Sequence, residues 1–453
     1  MFLNMNVNDM KIKIMRDEKI STALLKLGLP TTLGVLVGAL YSVVDAYFVG
    51  GLGTSHVGAI SVVFPIAQFV IGLAMMFGTG AASYISRLLG EGNAEQANRT
   101  AATALFSSLV VGATGIAAAL CFLDGILEAL GATETMLPYA RAYAAIFISG
   151  SIFNIFNVTM NNVITAEGAA RFTMISMLIG GGLNVILDPI LIYSLEFGIK
   201  GAAIATVISQ AVTTMFYGWY LLRKKGVLRF SVRGFAFDGV IYAQILAVGV
   251  PTLIYQFLTS VALALTNSAA SAYGDSAMAA IGVVARVSTM GTYVVFGYMK
   301  GFQPVAGYNY GAKRYDRLKE ATRVSLIWST AFCAVAALVM IVIPEQIVSL
   351  FSVGDVAMIE LGGKALRANG IVFVFFGFQM VYIALFLALG KGLPGGLLSV
   401  SRQGVFFFPA ILFLPRMLGL QGVIWAQPAA DALTVLLTVI LARRLHKEME
   451  SFE

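Results

Sequence analysis

Apolar runs of about twenty residues or more recur along the whole chain, parted by short stretches that carry Gly, Pro or charge. Wound as a helix at about 1.5 Å per residue, such a run crosses a hydrocarbon layer about 30 Å thick, and a helix satisfies its own backbone polar groups in lipid. The pattern predicts twelve membrane-spanning helices, at 25–50, 57–86, 100–123, 137–165, 171–195, 201–222, 240–272, 276–305, 323–343, 365–390, 396–415 and 420–442. Strand-type alternation is absent, so a barrel is not expected. An even number of spans puts both termini on one side.

Composition agrees with this pattern. Of 453 residues, 58% are hydrophobic and 12% charged, too few polar residues to wrap a soluble core of this size. Cys121 and Cys333 lie far apart in apolar runs, His56 sits in a turn and His446 in the tail, so neither a disulfide framework nor a zinc site is implied. The first twenty residues are polar and mixed in charge, without the apolar core of a signal peptide, and are expected to stay in the cytoplasm.

Charge orients the bundle, because Lys and Arg near span ends concentrate on the cytoplasmic side. With the N-terminus inside, that side collects Lys11, Lys13, Arg16, Lys19, Lys26, Arg87, Arg99 and Arg171, then Arg223, Lys224, Lys225, Arg229 and Arg233. It also collects Lys313, Arg314, Arg317, Lys319, Arg323, Lys391, Arg402, Arg443, Arg444 and Lys447, against five basic residues outside: Arg141, Lys200, Lys364, Arg367 and Arg416. Arg286 and Lys300 remain within spans. The net charge of +7 therefore reports orientation and attraction to anionic lipid rather than nucleic-acid binding.

The chain also repeats itself when one half is slid over the other without a gap. Pro30 meets Pro251, Thr31 meets Thr252, Gly53 meets Gly274, Ser55 meets Ser276, Gly80 meets Gly301 and Gly90 meets Gly311, and the Gly198–Gly201 turn meets Gly419–Gly422. Ten identities in 71 positions is little, but Gly and Pro mark turns and breaks rather than apolar filler, so their coincidence carries weight. Six spans per copy gives two lobes related by a pseudo-two-fold axis along the membrane normal, with a substrate site between them. The expected divisions are an N-terminal segment 1–20, an N-lobe 21–222, a linker 223–239, a C-lobe 240–444 and a tail 445–453.

Candidate chemistry lies in the few charges inside spans. Asp45 is the lone formal charge in the sixty residues between Lys26 and Arg87. A carboxylate there costs roughly 2.5–3.5 kcal/mol on insertion scales and needs a partner, a proton or a water-filled cavity. Asp188 follows Asn184 by one helical turn and precedes Pro189, which removes a backbone donor and loosens the helix. Either Asp188 satisfies its own broken helix, or it shares a cavity with Asp45 in which desolvation and like charge favour binding of a proton or a monovalent cation. The second copy places Thr266 where the first has Asp45, so ion chemistry is expected to be asymmetric between the lobes. In the C-lobe, Gln256, Gln379, Arg286 and Asp431 are the candidates for a substrate cavity, an Arg286–Asp431 pair being one arrangement and helix-to-helix hydrogen bonding another. The 19 Met and 31 Phe suit apolar cations, though most are core or lipid-facing.

Taken together, the P-x14-DAYFVGGLG stretch from Pro30, GLNVILDP in span 5, GAAIAT in span 6 and FQPVAGYNYGAKRYDR from Phe302 resemble the multidrug and toxic compound extrusion (MATE) transporters. The resemblance covers roughly 20–445 and is closest to the bacterial branch of DNA-damage-inducible and staphylococcal-type drug exporters. It implies an all-α polytopic membrane protein of two six-helix lobes in a prokaryotic inner membrane, with no enzymatic activity and no cofactor. It further implies a monomer that exports organic cations or drugs by alternating access in exchange for H+ or Na+. The family's N-lobe cation set falls here on Asp45, Tyr143, Asn184, Asp188 and Thr206. Members with C-lobe carboxylates in helices 7 and 10 differ, since this chain has Gln256 and Gln379 there. A lipid or lipid-linked sugar flippase is the alternative cargo reading, and it calls for more cationic residues in the interior than Arg286 and Lys300. A membrane-embedded enzyme would need clustered aspartates, a Ser/His pair or metal-ligand spacing, which the spans lack.

Overall fold

The computed structural model describes residues 7–223, 226–231, 234–351 and 355–450, and among them the regular structure is helical throughout. Lys224, Lys225 and Arg233 of the basic cluster lie outside the described residues. A short α1 (Val7–Arg16) is followed by the N-lobe helices α2 (Ile20–Gly50), α3 (Thr54–Gly90), α4 (Ala94–Cys121), α5 (Leu123–Ala129), α6 (Leu137–Ala166), α7 (Ala170–Pro189) and α8 (Ile199–Leu222). The C-lobe holds α9 (Gly239–Ser271), α10 (Asp275–Gly311), α11 (Tyr315–Val342), α12 (Pro344–Ser349), α13 (Val356–Phe373), α14 (Phe376–Ala388), α15 (Gly392–Val400), α16 (Phe407–Leu418) and α17 (Leu420–Glu450).

Eleven of the described helical units are long and apolar enough to cross a membrane, and α13 with α14, bent by 49°, completes a twelfth. The spans run longer than expected at several ends. Helix α10 continues through Pro304 to Gly311, so most of the stretch from Phe302 expected after span 8 is helix rather than loop. Proline is tolerated there because neighbouring helices re-satisfy the freed backbone groups in a membrane bundle.

The repeating glycines turn out to form the seam between lobes. A Cβ on Gly301 would fall on the Gly28 backbone, one on Gly249 on the Met76 carbonyl, one on Gly80 on the Ile245 carbonyl, and one on Gly311 on the Arg87 carbonyl. Gly28 and Gly249 occupy equivalent positions of the two copies, as do Gly80 and Gly301, so α2 against α10 and α3 against α9 are the same contact made twice. Small residues let membrane helices approach backbone to backbone, where packing rather than the hydrophobic effect holds them. Gly53 and Gly274 play another part: with φ of 115° and 96° they turn the chain into α3 and α10.

These contacts lie in the halves of the helices nearest the two chain ends, here called the base. Toward the opposite end, the mouth, Leu40, Val43 and Tyr47 of α2 are exposed, as are Ser42 and Ala46 on another face of the same helix. The backbone-to-backbone contacts between the lobes are thus gathered at the base.

Helix α1 ties the lobes across the base. On the N-lobe side Lys11 Nζ donates to the Tyr220 hydroxyl at 2.5 Å and sits 3.7 Å from Glu167 Oε1, while Glu167 Oε2 accepts from the Leu228 amide at 2.9 Å. On the C-lobe side Arg317 donates to the carbonyls of Glu18 at 2.7 Å and Met15 at 3.3 Å, Asn309 to Met15 at 3.3 Å, and Arg314 to the Arg16 carbonyl at 2.6 Å. The last carbonyls of a helix have no partner inside it, and here side chains from the other lobe supply one. Hydrogen bonds from charged donors contribute about 1.5–3 kcal/mol each. Arg317→Ala is therefore expected to speed hydrogen exchange at residues 15–20 at least tenfold while leaving the spans protected; unchanged exchange there would mean that the tie carries no load.

Candidate ion site

In the mouth half of the N-lobe, α2 brings Asp45, α6 Tyr143, α7 Asn184 and Asp188, and α8 Thr206 toward one another. Asn184 and Asp188 share a face of α7, and Asn184 Nδ2 lies 3.3 Å from Asp188 Oδ1 and 3.4 Å from Thr206 Oγ1. Asp188 is fully buried and Asn184 is 2% exposed. Asp45, Asp188, Tyr143 and Tyr41 all lie within electrostatic range. After Pro189 the helix widens into a π-helical turn over Ile190–Ser194, and a Cβ on Gly201 of α8 would stand 2.5 Å from the Leu191 carbonyl. That is the loosening expected of a proline beside a carboxylate, and such π turns are common at functional sites.

The decisive feature is what these oxygens lack. Asp45 Oδ1, Asn184 Oδ1 and Asp188 Oδ2 are each buried without a hydrogen-bond partner. Buried polar atoms are normally paired, and an unpaired carboxylate oxygen is among the costliest groups to bury. Three unpaired acceptors, two of them carboxylate oxygens, are a donor set whose chemistry matches a proton or a small hard cation. The donors gathered here are carboxylate, amide and hydroxyl oxygens, which suit hard cations rather than soft ones. Tyr41 was not among the residues expected here; it lies one turn before Asp45 on α2, and that spacing was the available signal.

The C-lobe candidates divide. Gln379 and Asp431 belong together, since Gln379 Nε2 donates to the Asp431 carbonyl at 2.7 Å. Gln256 faces Gly72 across the lobe seam, and Arg286 is exposed on α10. The Arg286–Asp431 pair does not form. Asp431 pairs instead with Arg402, whose Nε and Nη2 donate to its two carboxylate oxygens at 2.9 and 3.3 Å. The charge count assigns Arg402 to the cytoplasmic side although it falls within the expected span 396–415; in the structure it lies inside the Gly392–Leu418 span and is 8% exposed. A carboxylate in reach lets an arginine stay that deep. Lys300, the other basic residue expected within a span, donates to Asn161 Oδ1 at 3.0 Å across the seam, and Asn161 in turn donates to the Tyr217 hydroxyl at 3.1 Å.

Comparison with known proteins returns the same repeat. The MatE family model matches residues 30–190 and again 251–411, and the two matches stand in the register that pairs Pro30 with Pro251. The chain is 28% identical over 444 residues to the multidrug export protein MepA of Staphylococcus haemolyticus, covering 98% of both chains. It is 26% identical over the same length and coverage to MepA of Staphylococcus aureus. Among solved structures it superposes with a TM-score of 0.91 on the outward-facing conformation of a multidrug resistance MATE family transporter of the MOP superfamily, at 27% identity and covering 97% of this chain and 98% of that one.

Proposed function

This chain belongs to the MatE family of membrane transporters, and from that premise we propose that it is a secondary active antiporter that exports drug-like organic cations in exchange for H+ or Na+. The relatives it matches are exporters rather than enzymes. One observation carries the coupling half of the proposal, the three buried and unpartnered oxygens of Asp45, Asn184 and Asp188, whose carboxylates lie within electrostatic range of each other. An ion that enters from the mouth satisfies them, and one that leaves through the base restores the unpaired state; the differential affinity between the two conformations does the coupling. Asp45, Asp188 and Asn184 hold the ion, Thr206 fixes the Asn184 amide, and Tyr143 and Tyr41 wall the pocket.

Asp45 stands on α2, the helix whose base half packs against α10 of the other lobe, so one continuous helix links the carboxylate to the seam. The base is the cytoplasmic end, because the basic residues of 11–26, 87–99 and 313–323 gather there. In the proposed cycle the state with the base joined is the one that releases drug and takes up the ion. The cargo in this reading is a small molecule, as for the drug-exporter relatives.

The test is efflux of a fluorescent lipophilic cation from proteoliposomes with a proton gradient and a sodium gradient imposed separately. One of the two is expected to drive uphill movement of the dye and the other to leave it at equilibrium. Transport that ignores both gradients would end the antiport reading.

A further inference from the structure

We propose that Arg402 is a built-in cation which permanently occupies the C-lobe's membrane-embedded carboxylate, Asp431, and so confines ion exchange to the N-lobe. The inference rests on the antiport reading and deepens it, since it fixes how many ions the cycle uses.

The contrast between the two lobes is the starting point. In the N-lobe, Asp45 Oδ1 and Asp188 Oδ2 are buried without partners. In the C-lobe, Asp431 is saturated. Arg402 approaches both of its oxygens, Gln427 Nε2 donates to Oδ1 at 2.8 Å, and Gln379 Nε2 holds the backbone carbonyl of the same residue at 2.7 Å. The guanidinium also lies over the Phe376 ring, 4.7 Å from its centroid, a favourable place for a desolvated cation. Two-pronged Arg–carboxylate pairing fixes position as well as charge, which a mobile ion does not.

The local backbone is shaped to deliver this side chain. Between α15 and α16 the chain makes a π-helical turn over Ser401–Val405, and Ser401, Arg402, Gln403 and Gly404 are all buried. A Cβ on Gly404 would stand 3.0 Å from Leu258 of α9, so the turn is pressed into the lobe. A widened turn of this kind adds a residue to the helix and is rarely kept without a use. Stability alone does not supply one, because replacing a buried ion pair by apolar residues of similar volume is often neutral or favourable. An ion-site explanation does: a carboxylate with its own tethered cation neither takes up nor releases one during the cycle.

The remaining polar group points the same way. Gln379 Oε1 is buried and unpaired beside Asp431. With Arg402 removed, Asp431 and Gln379 present acceptors and no charge to satisfy them, which is the condition of the N-lobe site. Arg402 is thus a positioning and specificity residue, acting on the ion count rather than on substrate.

The experiment uses the full chain in proteoliposomes with the membrane potential clamped at zero, and reads the dye gradient that just balances an imposed gradient of the coupling ion. A tenfold ion gradient balances a dye gradient of about tenfold if one ion is exchanged, and about a hundredfold if two are. Wild type and Arg402→Lys are expected to follow the one-ion relation, Arg402→Gln the two-ion relation, and the double variant Arg402→Gln/Asp431→Asn the one-ion relation again. A one-ion result for a folded Arg402→Gln overturns the proposal, and so does a wild type that follows the two-ion relation and loses one ion in Asp431→Asn. Should Arg402→Gln fail to fold, the neutral double variant decides: an unchanged ion count supports the proposal, and a loss of one ion overturns it. The ion bound at equilibrium per purified chain is measured in parallel, so that failure of antiport itself leaves the gain of one ion in Arg402→Gln readable.

Discussion

Asp45→Asn abolishes gradient-driven efflux and leaves the protein folded, with a melting temperature equal to or above that of the wild type. The two halves of that expectation come from the same geometry. Asp45 Oδ1 is buried with no partner, and a second carboxyl, Asp188, lies within electrostatic range of it. An amide of the same shape removes a repulsion and breaks no hydrogen bond on that oxygen, so the fold loses nothing. The ion loses a charged ligand, and in a site of this kind disturbing even a supporting partner typically costs about 10- to 100-fold in affinity. Because the exchange is only as strong as the difference in ion affinity between the two conformations, coupling fails even where some dye still binds. The measurement is dye efflux under the driving gradient, set against amount in the membrane and melting temperature. Efflux at the wild-type rate would remove Asp45 from the mechanism; a variant that misfolds would show that the carboxylate holds structure after all.

Much of this architecture was legible in the sequence because its causes are local. A span announces itself by a run of apolar residues, and a buried carboxylate such as Asp45 stands out by being the one exception in sixty. Asn184 and Asp188 were legible as a pair because one turn of helix puts them on one face. What was hidden depends on distant partners. Arg402 falls inside the expected span 396–415, but its partner Asp431 stands on another helix and no spacing connects the two. Helix α1 is short and polar, and its carbonyls are satisfied by Asn309, Arg314 and Arg317, from the far half of the chain. The repeating glycines were visible as matches, but their use was not, since a glycine's spacing does not say whether it turns the chain, as Gly53 does, or admits a neighbouring helix, as Gly301 does.

Gly301→Ala is expected to drive the lobes apart at the base and to stall transport, with each lobe still folded. The added methyl would meet the Gly28 backbone. Backbone cannot swing aside as a side chain does, so α2 and α10 must separate, and overpacking of this sort costs about 1–3 kcal/mol. That cost falls on one conformation only, because alternating access requires the base to open and the contact to be lost. A bias of about 1–3 kcal/mol moves a two-state population by roughly 5- to 150-fold. The consequence is read as distance distributions between labels placed at the base and at the mouth: the base-closed population falls in Gly301→Ala, and efflux falls with it. Gly115 on α4 has open space where a Cβ would go, so Gly115→Ala serves as the control and is expected to leave both readings unchanged. The repeat sharpens the test, since Gly80, the counterpart of Gly301 in the first copy, meets the Ile245 carbonyl in the matching contact of α3 with α9. Gly80→Ala should therefore reproduce the shift; if it leaves the base closed while Gly301→Ala opens it, the two contacts are alike in shape but only the one on the Asp45 helix governs the cycle.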